Sequence, residues 1–342
     1  MNGRNVDILA LFPSFESAVF GGVQASGREA WECIHNRQAV CAEAFYYEPG
    51  AAKLATLFRA TTRRVAADTV LVWHSGLLKL APFIAASNRR RVLFLHGIEA
   101  WRQQDPMTRL LMRRTDLFLS NSEHTWKRFA GIHPACAAKP HRTVHLGLGD
   151  PLQCPLDPPD APPAALMIGR MQKDENYKGH REMIGVWPRV LACLPDAELR
   201  IVGDGDLRPE LERLARQLGL ADRVRFYGAV PDSQKQALLR QCRSLVLPSA
   251  GEGFGLVYLE AMRVGRPCLV SHMDAGAEVV NPPEAGLAVH LHEPAQVAST
   301  VLRLLTAGPE WDQMSVRARL RYESNFTACH FARRLQAALF ED

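Results

Sequence analysis

The sequence predicts an α/β protein with two doubly wound domains, and three observations support this fold class. The chain has 342 residues, which is more than one hydrophobic core usually organises. Short apolar segments alternate with segments of helical composition along its length. A proline-rich segment near the middle, residues 149–166, divides this alternating pattern into two halves.

The first half contains apolar segments with the length and composition of buried strands. They are VDILALF (6–12), TVLVWHS (69–75), RVLFLHG (91–97) and DLFLSNS (116–122). Helices are predicted between them over 24–36, 51–66 and 105–114. Because the apolar runs are continuous, they indicate a parallel sheet that is covered on both faces.

The second half repeats the pattern. Its predicted strands are AALMIGR (164–170), ELRIVGD (198–204), RVRFYGA (223–229), RSLVLPS (243–249) and PCLVSHM (267–273). Helices are predicted over 178–194, 206–219, 232–242 and 255–265. In such sheets ligands bind beyond the carboxyl ends of the strands, so we expect the site in the cleft between two facing domains.

The domain boundaries follow from the proline-rich segment. Six prolines fall between positions 151 and 163, and proline neither donates a backbone hydrogen bond nor fits a helix or sheet interior. The predicted domains are 1–150 and 164–323, joined by a linker over 151–163. We expect residues 324–342 to form a C-terminal helix that returns to the first domain.

Composition excludes several classes of protein. No apolar run is long enough to span a bilayer, and the N-terminus lacks the features of a signal peptide. The eight cysteines show no metal-site spacing, so we expect no metal and free thiols in a reducing cytosol. A complete dinucleotide fingerprint and a Walker A sequence are both missing, which argues against a dehydrogenase or a P-loop enzyme.

The charge is uneven along the chain. Residues 1–150 contain 19 Lys and Arg against 12 Asp and Glu, including Arg63–Arg64, Arg89–Arg91 and Arg113–Arg114. Two interpretations are open: a solvated face, or attraction to an anionic membrane surface or a phosphate-bearing partner. We expect no nucleic acid partner, since basic and aromatic residues are not interleaved.

The segment GEGFGLVYLEAM (251–262) carries the strongest chemical signal. Glu252 and Glu260 interrupt an apolar run, and buried carboxylates are costly unless they are paired. A glycine-rich loop that enters a helix exposes backbone N–H groups at the positive end of the helix dipole, which suits an anionic ligand. Both carboxylates are expected near that entrance, where they can accept hydrogen bonds from ligand hydroxyls.

A second cluster follows the first strand of the second half, in MIGRMQKDENYKGH (167–180). Arg170 comes directly after the strand, and Lys178 precedes a predicted helix. Two cations at the carboxyl end of a strand are well placed to bind a diphosphate.

Taken together, IGRM…YKGH, IVGDGDLRPELE, RVRFYGAVPD and PSAGEGFGLVYLEAMRVGRPCLVS resemble the C-terminal half of family 4 glycosyltransferases. The resemblance covers about 166–290 strongly and includes the family's Glu-x7-Glu pattern. The first half is similar only in the FGGVQ loop, LHG and SNSEHT. The resemblance implies the GT-B fold, two Rossmann-like domains facing a central cleft, and retaining transfer from a nucleotide-sugar without a metal or other cofactor.

The resemblance also implies roles for particular residues. Glu252 would contact the donor sugar, and Glu260 the ribose. Arg170 and Lys178 would hold the diphosphate, and the backbone of Gly253, Phe254 and Gly255 would line the sugar and phosphate. Val230 would lie near the base, together with Asp232 and Lys235.

In the first half, the resemblance implies that Gly21 and Gly22 approach the diphosphate from across the cleft. His96, at the end of a strand, would reach the donor sugar and can donate to a hydroxyl or phosphate oxygen. His74 is similarly placed, and Glu99 and Trp101 are expected to face the acceptor.

The expected reaction is same-face transfer of a hexose, of the GDP-mannose or UDP-glucose type, to a sugar or lipid-linked acceptor. We expect a cytoplasmic enzyme, with the inner face of the membrane as a further location. Two alternatives stay open: a nucleotide-sugar epimerase of the same fold, and a non-catalytic nucleotide-sugar binding protein.

Overall fold

A computed structural model of the chain describes residues 5–15, 21–48, 65–159 and 162–341. The chain divides into two compact units. The first unit comprises residues 1–148 and 328–342, and the second comprises residues 149–327. The predicted helix over 51–66 lies outside the described residues, apart from its last two positions.

Within its described residues, the first unit contains a six-stranded parallel sheet in the order β2-β1-β3-β4-β5-β6. Its strands are β1 (Asn5–Pro13), β2 (Ala42–Tyr47), β3 (Val65–Val72), β4 (Ala85–Leu95), β5 (Leu117–Ser120) and β6 (His141–Thr143). The predicted strands are present, and β2 and β6 are additional. The strand order reverses between β1 and β3, and open sheets of this kind bind ligands beside such a switch point.

Helices cover this sheet. They are α1 (Gly22–His35), α2 (Ala81–Ile84), α3 (Pro106–Arg113), α4 (Glu123–Ile132), α5 (Pro134–Ala137) and α13 (Ala328–Phe340), with a 3₁₀ helix over Ser75–Leu80. Local sequence explains where two of them begin. Asp105 accepts from the Met107 and Thr108 amides at the start of α3, and Pro106 occupies its first turn. Ser122 caps α4 by accepting from the Thr125 amide.

The C-terminal helix α13 is part of the first unit. The Gln336 side chain donates to the Cys33 carbonyl of α1 at 3.0 Å. Arg90 donates to the Leu339 carbonyl at 3.0 Å, and Arg142 donates to the Ala337 carbonyl at 2.9 Å. These guanidinium groups satisfy carbonyls in the last turn of α13, where a cation is also favoured by the helix dipole.

The second unit also contains a six-stranded parallel sheet in its described residues, in the order β12-β11-β10-β7-β8-β9. Its strands are β7 (Ala164–Ile168), β8 (Glu198–Val202), β9 (Val224–Gly228), β10 (Ser244–Val246), β11 (Cys268–Ser271) and β12 (Gly286–Val289). The strand order reverses between β7 and β10. The loops that follow these two strands are therefore the expected ligand-binding positions.

The helices of the second unit lie near their predicted ranges, and three follow β11 and β12. They are α6 (His180–Cys193), α7 (Arg208–Gln217), α8 (Asp232–Gln241), α9 (Leu256–Arg263), α10 (Gly276–Val280), α11 (Pro294–Leu305) and α12 (Pro309–Asn325). A 3₁₀ helix spans Lys173–Lys178 just before α6. The tryptophans Trp187 of α6 and Trp311 of α12 are fully buried in this unit.

The proline-rich segment is anchored to the second unit. Residues 149–159 contain no helix or strand. The Arg263 guanidinium of α9 donates to the Asp150 carbonyl at 2.7 Å, and Ser315 of α12 donates to the Leu156 carbonyl at 2.9 Å. Side chains of α9 and α12 thus supply donors to carbonyls that no regular element satisfies.

Candidate functional site

The site of the second unit is built on the two loops at the switch point of its sheet. One loop follows β7 and carries Arg170 and, at the end of the 3₁₀ helix, Lys178. The other follows β10 and carries Glu252 before α9 begins at Leu256. The topology therefore brings together two segments that are more than 70 positions apart in the sequence.

Local packing explains the glycine that begins α9. Gly255 has a φ of +83°, a left-handed conformation that residues with a Cβ rarely adopt. A Cβ at this position would lie 2.4 Å from the Tyr258 ring. That ring is fixed because the Tyr258 hydroxyl donates to the Leu247 carbonyl at 2.8 Å. Gly255 is thus required by the turn into the helix.

An ion pair joins the two loops. The Lys178 ammonium lies 2.6 Å from Oε1 of Glu252, and only 12% and 17% of the two side chains are exposed. Burial alone would lower the pKa of Lys178, but the Glu252 carboxylate reverses this effect and the net pKa is raised. Lys178 is therefore a fixed cation at neutral pH, and its alkyl stem lies against Gly169 at the end of β7.

Glu175 extends this ion pair to Arg170. One oxygen of Glu175 pairs with the Arg170 guanidinium, and the other lies 3.9 Å from the Lys178 ammonium. That second oxygen is buried without a hydrogen-bond partner. Arg170, Lys178 and Glu252 thus form one continuous network, in which Glu175 links the two cations predicted to hold a diphosphate.

Asp274 fixes the backbone of the loop that carries Glu252. One of its oxygens accepts from the Glu252 amide at 2.9 Å, and the other accepts from the Gly276 amide at 2.8 Å. Its side chain is 3% exposed. Burial raises the pKa of Asp274 to about 7, and these amide donors and a hydrogen bond with Ser249 oppose the rise.

Glu260 forms a second carboxylate–lysine pair. The Lys235 ammonium of α8 lies 2.8 Å from Oε1 of Glu260 and 3.0 Å from Asp232. Oε2 of Glu260 is buried and has no hydrogen-bond partner. Val230 lies two residues after β9 and is partly exposed. The loop between β9 and α8 and the second turn of α9 therefore meet through the Lys235–Glu260 pair.

The remaining predicted residues of the glycine-rich loop are Gly253 and Phe254. The Phe254 side chain is 2% exposed, and its ring contacts Phe326 edge-on with 6.1 Å between centroids. Phe254 thus anchors the loop to the core of the second unit, whereas Gly253 stays partly exposed.

In the first unit, Gly21 and Gly22 lie at the start of α1. The Gln24 side chain accepts from the Gly21 amide at 3.2 Å, and Ala25 donates to the Gly21 carbonyl at 3.0 Å. Gly21 has an extended backbone, and a Cβ there would meet only the Gln24 side chain, at 3.5 Å. Neither backbone strain nor lack of space therefore explains a glycine at position 21.

His96 directly follows the last residue of β4 and is 8% exposed. Its Nε2 lies 2.7 Å from the Trp73 carbonyl, which can only accept, so Nε2 carries the proton. Burial lowers the pKa of His96 to about 4, so the ring is neutral at pH 7. The neutral ring therefore offers Nδ1 as an acceptor. The sequence-based expectation was a donor, and the structure corrects that part of it.

His74 provides the complementary group. Its Nδ1 accepts from the Gly76 amide at 3.0 Å, which leaves the proton on Nε2 of a neutral ring. The His74 and His96 rings are 6.5 Å apart between centroids and nearly parallel. The carboxyl ends of β3 and β4 thus present one histidine donor and one histidine acceptor.

Glu99 and Trp101, which are expected on the acceptor side, both make contacts within the first unit. Glu99 accepts from the His96 amide at 2.6 Å and closes the turn after β4. The Trp101 ring is 8% exposed and donates to the Thr125 carbonyl at 3.2 Å, with the Arg128 guanidinium 4.3 Å from its centroid. We therefore withdraw Trp101 as an acceptor contact.

A search of the described residues finds no cluster of three or more His, Cys, Asp or Glu side chains suited to hold a metal ion. In the same part of the chain, no helix is both long enough and apolar enough to cross a membrane.

Comparison with protein families identifies the part of the chain that carries this site. Residues 162–307 match the model of glycosyl transferases group 1. This segment is a glycosyl transferases group 1 domain. It lies within the second unit and includes Arg170, Lys178, Glu252 and Glu260.

Curated relatives match over the group 1 domain. The phosphatidyl-myo-inositol mannosyltransferase of Mycobacterium leprae is 36% identical over 141 residues, which are 41% of this chain and 36% of the relative. The D-inositol 3-phosphate glycosyltransferase of Corynebacterium diphtheriae is 29% identical over 176 residues, 50% of this chain and 40% of the relative. The match thus spans well under half the length of these relatives.

Solved structures resemble the whole chain. The Anabaena protein HepE, in complex with UDP and glucose, has a TM-score of 0.76 at 19% identity and covers 98% of this chain and 99% of its own. Sucrose-phosphate synthase of Thermosynechococcus elongatus has a TM-score of 0.75 at 20% identity, covering 95% and 96%. The chain therefore has the GT-B fold, as the sequence predicted.

Sequence reasoning missed two residues of the group 1 domain. Glu175 lies between the two predicted cations, and its negative charge in QKDENYK was a usable signal. Asp274 follows β11 by three residues, a position that the carboxyl-end rule already favours. Glu175 pairs locally with Arg170, five positions before it, whereas the contact of Asp274 with the Glu252 amide joins segments 22 positions apart and depends on the tertiary fold.

Proposed function

We propose that this protein is a retaining glycosyltransferase. It moves a hexose from a nucleotide diphosphate sugar to a hydroxyl of a sugar or lipid-linked acceptor. The observation that carries the proposal is the network of Arg170, Lys178 and Glu252 at the switch point of a group 1 domain. Cations for a diphosphate and a carboxylate for sugar hydroxyls are thus present together.

Arg170 and Lys178 bind the donor diphosphate in this proposal. Arg170 is 59% exposed and held only at one side by Glu175, so its guanidinium can turn to a phosphate. Lys178 is charged and nearly buried, so its interaction with phosphate is little screened by water. The two cations stabilise the negative charge that grows on the diphosphate as the glycosidic bond breaks.

Glu252 positions the donor sugar. Oε1 of Glu252 is held by Lys178, and its backbone is held by Asp274, so the carboxylate has a defined direction. Such a carboxylate accepts hydrogen bonds from sugar hydroxyls. Asp274 does not itself contact the donor in this proposal; it is a positioning residue for Glu252.

Glu260 binds the ribose, and the loop after β9 lies near the base. Lys235 occupies one oxygen of Glu260, and the second oxygen has no donor. A buried polar atom without a partner costs roughly 1–3 kcal/mol, so a ribose hydroxyl that donates there is stabilising. Val230, Asp232 and Lys235 are the proposed neighbours of the base.

In the first unit, Gly21 and Gly22 approach the diphosphate through the backbone at the start of α1. The free space at Gly21 is the observation in favour of this role. His96 accepts a hydrogen bond from a hydroxyl of the donor sugar through Nδ1, and His74 donates one through Nε2.

The transfer proceeds on one face of the sugar. The bond between the anomeric carbon and the diphosphate oxygen breaks, and the electron pair stays on the diphosphate. The acceptor hydroxyl attacks from the same side, and its proton passes to the leaving diphosphate oxygen. Glu252 orients the sugar instead of attacking it, and Arg170 and Lys178 supply the positive charge that a metal would otherwise give.

The donor class is proposed from chemistry and from the relatives. Two relatives are described as a mannosyltransferase and a glycosyltransferase, each acting on an inositol compound, and HepE was crystallised with UDP and glucose. We therefore propose a donor of the GDP-mannose or UDP-glucose type.

A donor screen followed by product analysis tests this function. Thermal unfolding with UDP- and GDP-sugars identifies the donor, because a ligand that binds only the folded protein raises its apparent stability. We expect that donor to release UDP or GDP with an acceptor, and NMR to show an unchanged anomeric configuration.

Incubation with the donor alone provides the control. Conversion of the donor into an isomeric nucleotide-sugar would replace the proposal with an epimerase. Binding without transfer or hydrolysis over a range of acceptors would replace it with a binding protein.

A further inference from the structure

Helix α3 of the first unit has two faces of different character. Its inward face consists of Thr108, Leu111 and Met112, all buried. Its N-terminus is joined to the neighbouring 3₁₀ helix by an ion pair, with the Lys79 ammonium 2.7 Å from Asp105. The helix is therefore held in a fixed orientation, and its other face is presented to solvent.

The solvent face of α3 is unusually apolar. Met107 is 55% exposed and Leu110 is 44% exposed, and residues three apart lie on the same side of a helix. Phe83 of α2, four positions beyond Lys79, is 56% exposed. The Lys79–Asp105 ion pair joins α3 to the 3₁₀ helix that leads directly into α2. An exposed Phe, Met and Leu on these neighbouring elements indicate a surface that contacts something other than water.

The charges on this face have one sign. Arg109 and Arg113 lie on α3 near Met107 and Leu110, Arg114 directly follows the helix, and all three are exposed. The neighbouring acidic groups are already engaged. Asp105 pairs with Lys79 and caps α3, and Asp116 accepts from the Arg91 amide at 2.7 Å.

Helix α12 of the second unit provides a contrast. Val316 and Leu320 are 44% and 53% exposed and lie four residues apart on one helix. Exposed charges of both signs, Asp312 and Arg317, lie close to this pair on the same helix. An exposed apolar pair alone therefore does not indicate a binding surface. What distinguishes α3 is that, among the described residues, the unpaired charges around its apolar pair are all basic.

We propose that this surface, made of Phe83 of α2 together with Met107, Leu110, Arg109, Arg113 and Arg114 of α3 and its C-terminus, binds the surface of an anionic lipid bilayer. The apolar side chains enter the boundary between headgroups and acyl chains, and the guanidinium groups contact lipid phosphates. A helix that combines apolar and basic residues on its exposed face binds in this way. The electrostatic attraction of each basic group to an anionic surface adds to the free energy gained by burying the apolar side chains.

Charge complementarity favours a bilayer over a second copy of the chain. In a two-fold symmetric dimer through this face, the arginines of one copy would meet the same arginines of the other. An anionic lipid surface instead offers many phosphates to all three. The inference does not depend on the proposed transfer reaction, because none of these residues belongs to the candidate donor site.

Vesicle co-sedimentation of the full chain tests the proposal. We expect binding to vesicles of equal parts phosphatidylglycerol and phosphatidylcholine, weaker binding at high salt, and little binding to phosphatidylcholine alone. Each basic side chain near an anionic surface contributes about fivefold to partitioning, so Arg113→Glu with Arg114→Glu lowers it at least about 25-fold. Met107→Ser with Leu110→Ser lowers it by about tenfold.

The matched control is Val316→Ser with Leu320→Ser, which removes an equally exposed apolar pair and should leave partitioning unchanged. Circular dichroism and thermal unfolding confirm that each variant is folded. Wild-type protein that binds neither kind of vesicle would overturn the proposal. So would equal loss in the α12 control, or concentration-dependent dimerisation that Leu110→Ser abolishes while vesicle binding persists.

Discussion

The carboxyl edges of the two sheets differ in the charge of the side chains that they carry. In the second unit the edge contains two lysine–carboxylate pairs, Lys178–Glu252 and Lys235–Glu260, each with N–O separations below 3 Å. In the first unit the corresponding edge contains neutral rings. His96 lies 4.7 Å from Phe94 and 5.2 Å from Trp73 between centroids.

This difference indicates different chemical tasks. Fixed, partly buried cations suit a ligand whose charge grows during the reaction, because they need not reorganise. Neutral imidazoles that are locked by backbone hydrogen bonds suit the recognition of hydroxyl groups, which carry no net charge. The two sheets thus carry one ionic edge and one edge with neutral histidines.

The largest expected effect is at the Lys178–Glu252 pair. Lys178→Met removes a proposed diphosphate cation, and we expect turnover to fall at least about 100-fold. It also leaves Glu252 unpaired, which lowers the free energy of unfolding by about 2 kcal/mol, less than for full burial because both side chains retain some contact with water. Product release assays and urea unfolding measure the two effects.

The double variant Lys178→Met with Glu252→Gln separates function from stability. It should recover most of the lost unfolding free energy and none of the turnover. Arg303→Met, which breaks a well-exposed pair with Glu310, is the control and should change neither. If Lys178→Met keeps wild-type turnover, the ionic edge is not the donor site.

The second-largest expected effect is a loss of nucleotide affinity when Glu260 is replaced. Glu260→Gln keeps the shape but weakens acceptance of ribose hydroxyls, so we expect UDP and GDP to bind about tenfold less tightly. Calorimetric titration with the free nucleotides measures this affinity. Glu212→Gln removes a carboxylate that pairs with Arg208 outside the site and should leave binding unaltered. Equal binding by Glu260→Gln and wild type would contradict a ribose-binding role.

Asp274 should make the stability of the second unit depend on pH. Its folded pKa of about 7 lies above the ordinary value of 3.8, so the folded protein holds a proton that the unfolded chain has lost. This contribution to stability is complete below pH 4 and is lost as the pH rises through 7. Asp274→Asn abolishes the dependence, so the variant should gain stability relative to wild type from pH 4 to 7.

Urea unfolding at several pH values measures that difference. Asp196→Asn replaces an exposed carboxylate and should follow the wild-type curve. A constant difference between wild type and Asp274→Asn would show that Asp274 titrates normally. Turnover of Asp274→Asn should also fall, since Asp274 accepts from the Glu252 and Gly276 amides through two different oxygens and Asn has a donating NH2 group in place of one of them.

His96 should make the stability of the first unit depend on pH in the opposite direction. Its folded pKa of about 4 lies below the ordinary 6.5, so protonation opposes folding. The contribution is present above pH 6.5 and is lost as the pH falls toward 4. His96→Phe keeps a ring but removes the titration, so its stability relative to wild type should rise on acidification. The exposed His35→Phe is the control, and parallel curves for all three proteins would refute this interpretation.

Much of the fold was predictable because its strands are continuous apolar runs. VDILALF lies in β1, and the ELRIV part of ELRIVGD forms β8, as expected. The strand β2 was missed because AEAFYY lies at the sheet edge and buries only Phe45 fully. The start of β4 was placed too late, since its first half, AASNRRR, is polar and continues the strand by pairing with β3.

The candidate site was predictable in its residue types but not in its pairings. Glycine-rich loops and charged residues at strand ends are visible in the sequence, which is why Glu252, Glu260, Arg170 and Lys178 were selected. That Lys178 pairs with Glu252, and Lys235 with Glu260, depends on contacts between segments far apart in the chain. The direction of the His96 hydrogen bond likewise depends on the Trp73 carbonyl.

The chain enters the second unit from the first and returns to the first at its end. Residues on both sides of the second unit belong to the first, so the second unit is an insertion within it. Its two ends lie close together, since the Tyr322 hydroxyl, five residues before the exit, donates to the carbonyl of Gly149 at the entrance. A segment with adjoining ends can be replaced as one piece, so the second unit could be exchanged without breaking the sheet of the first.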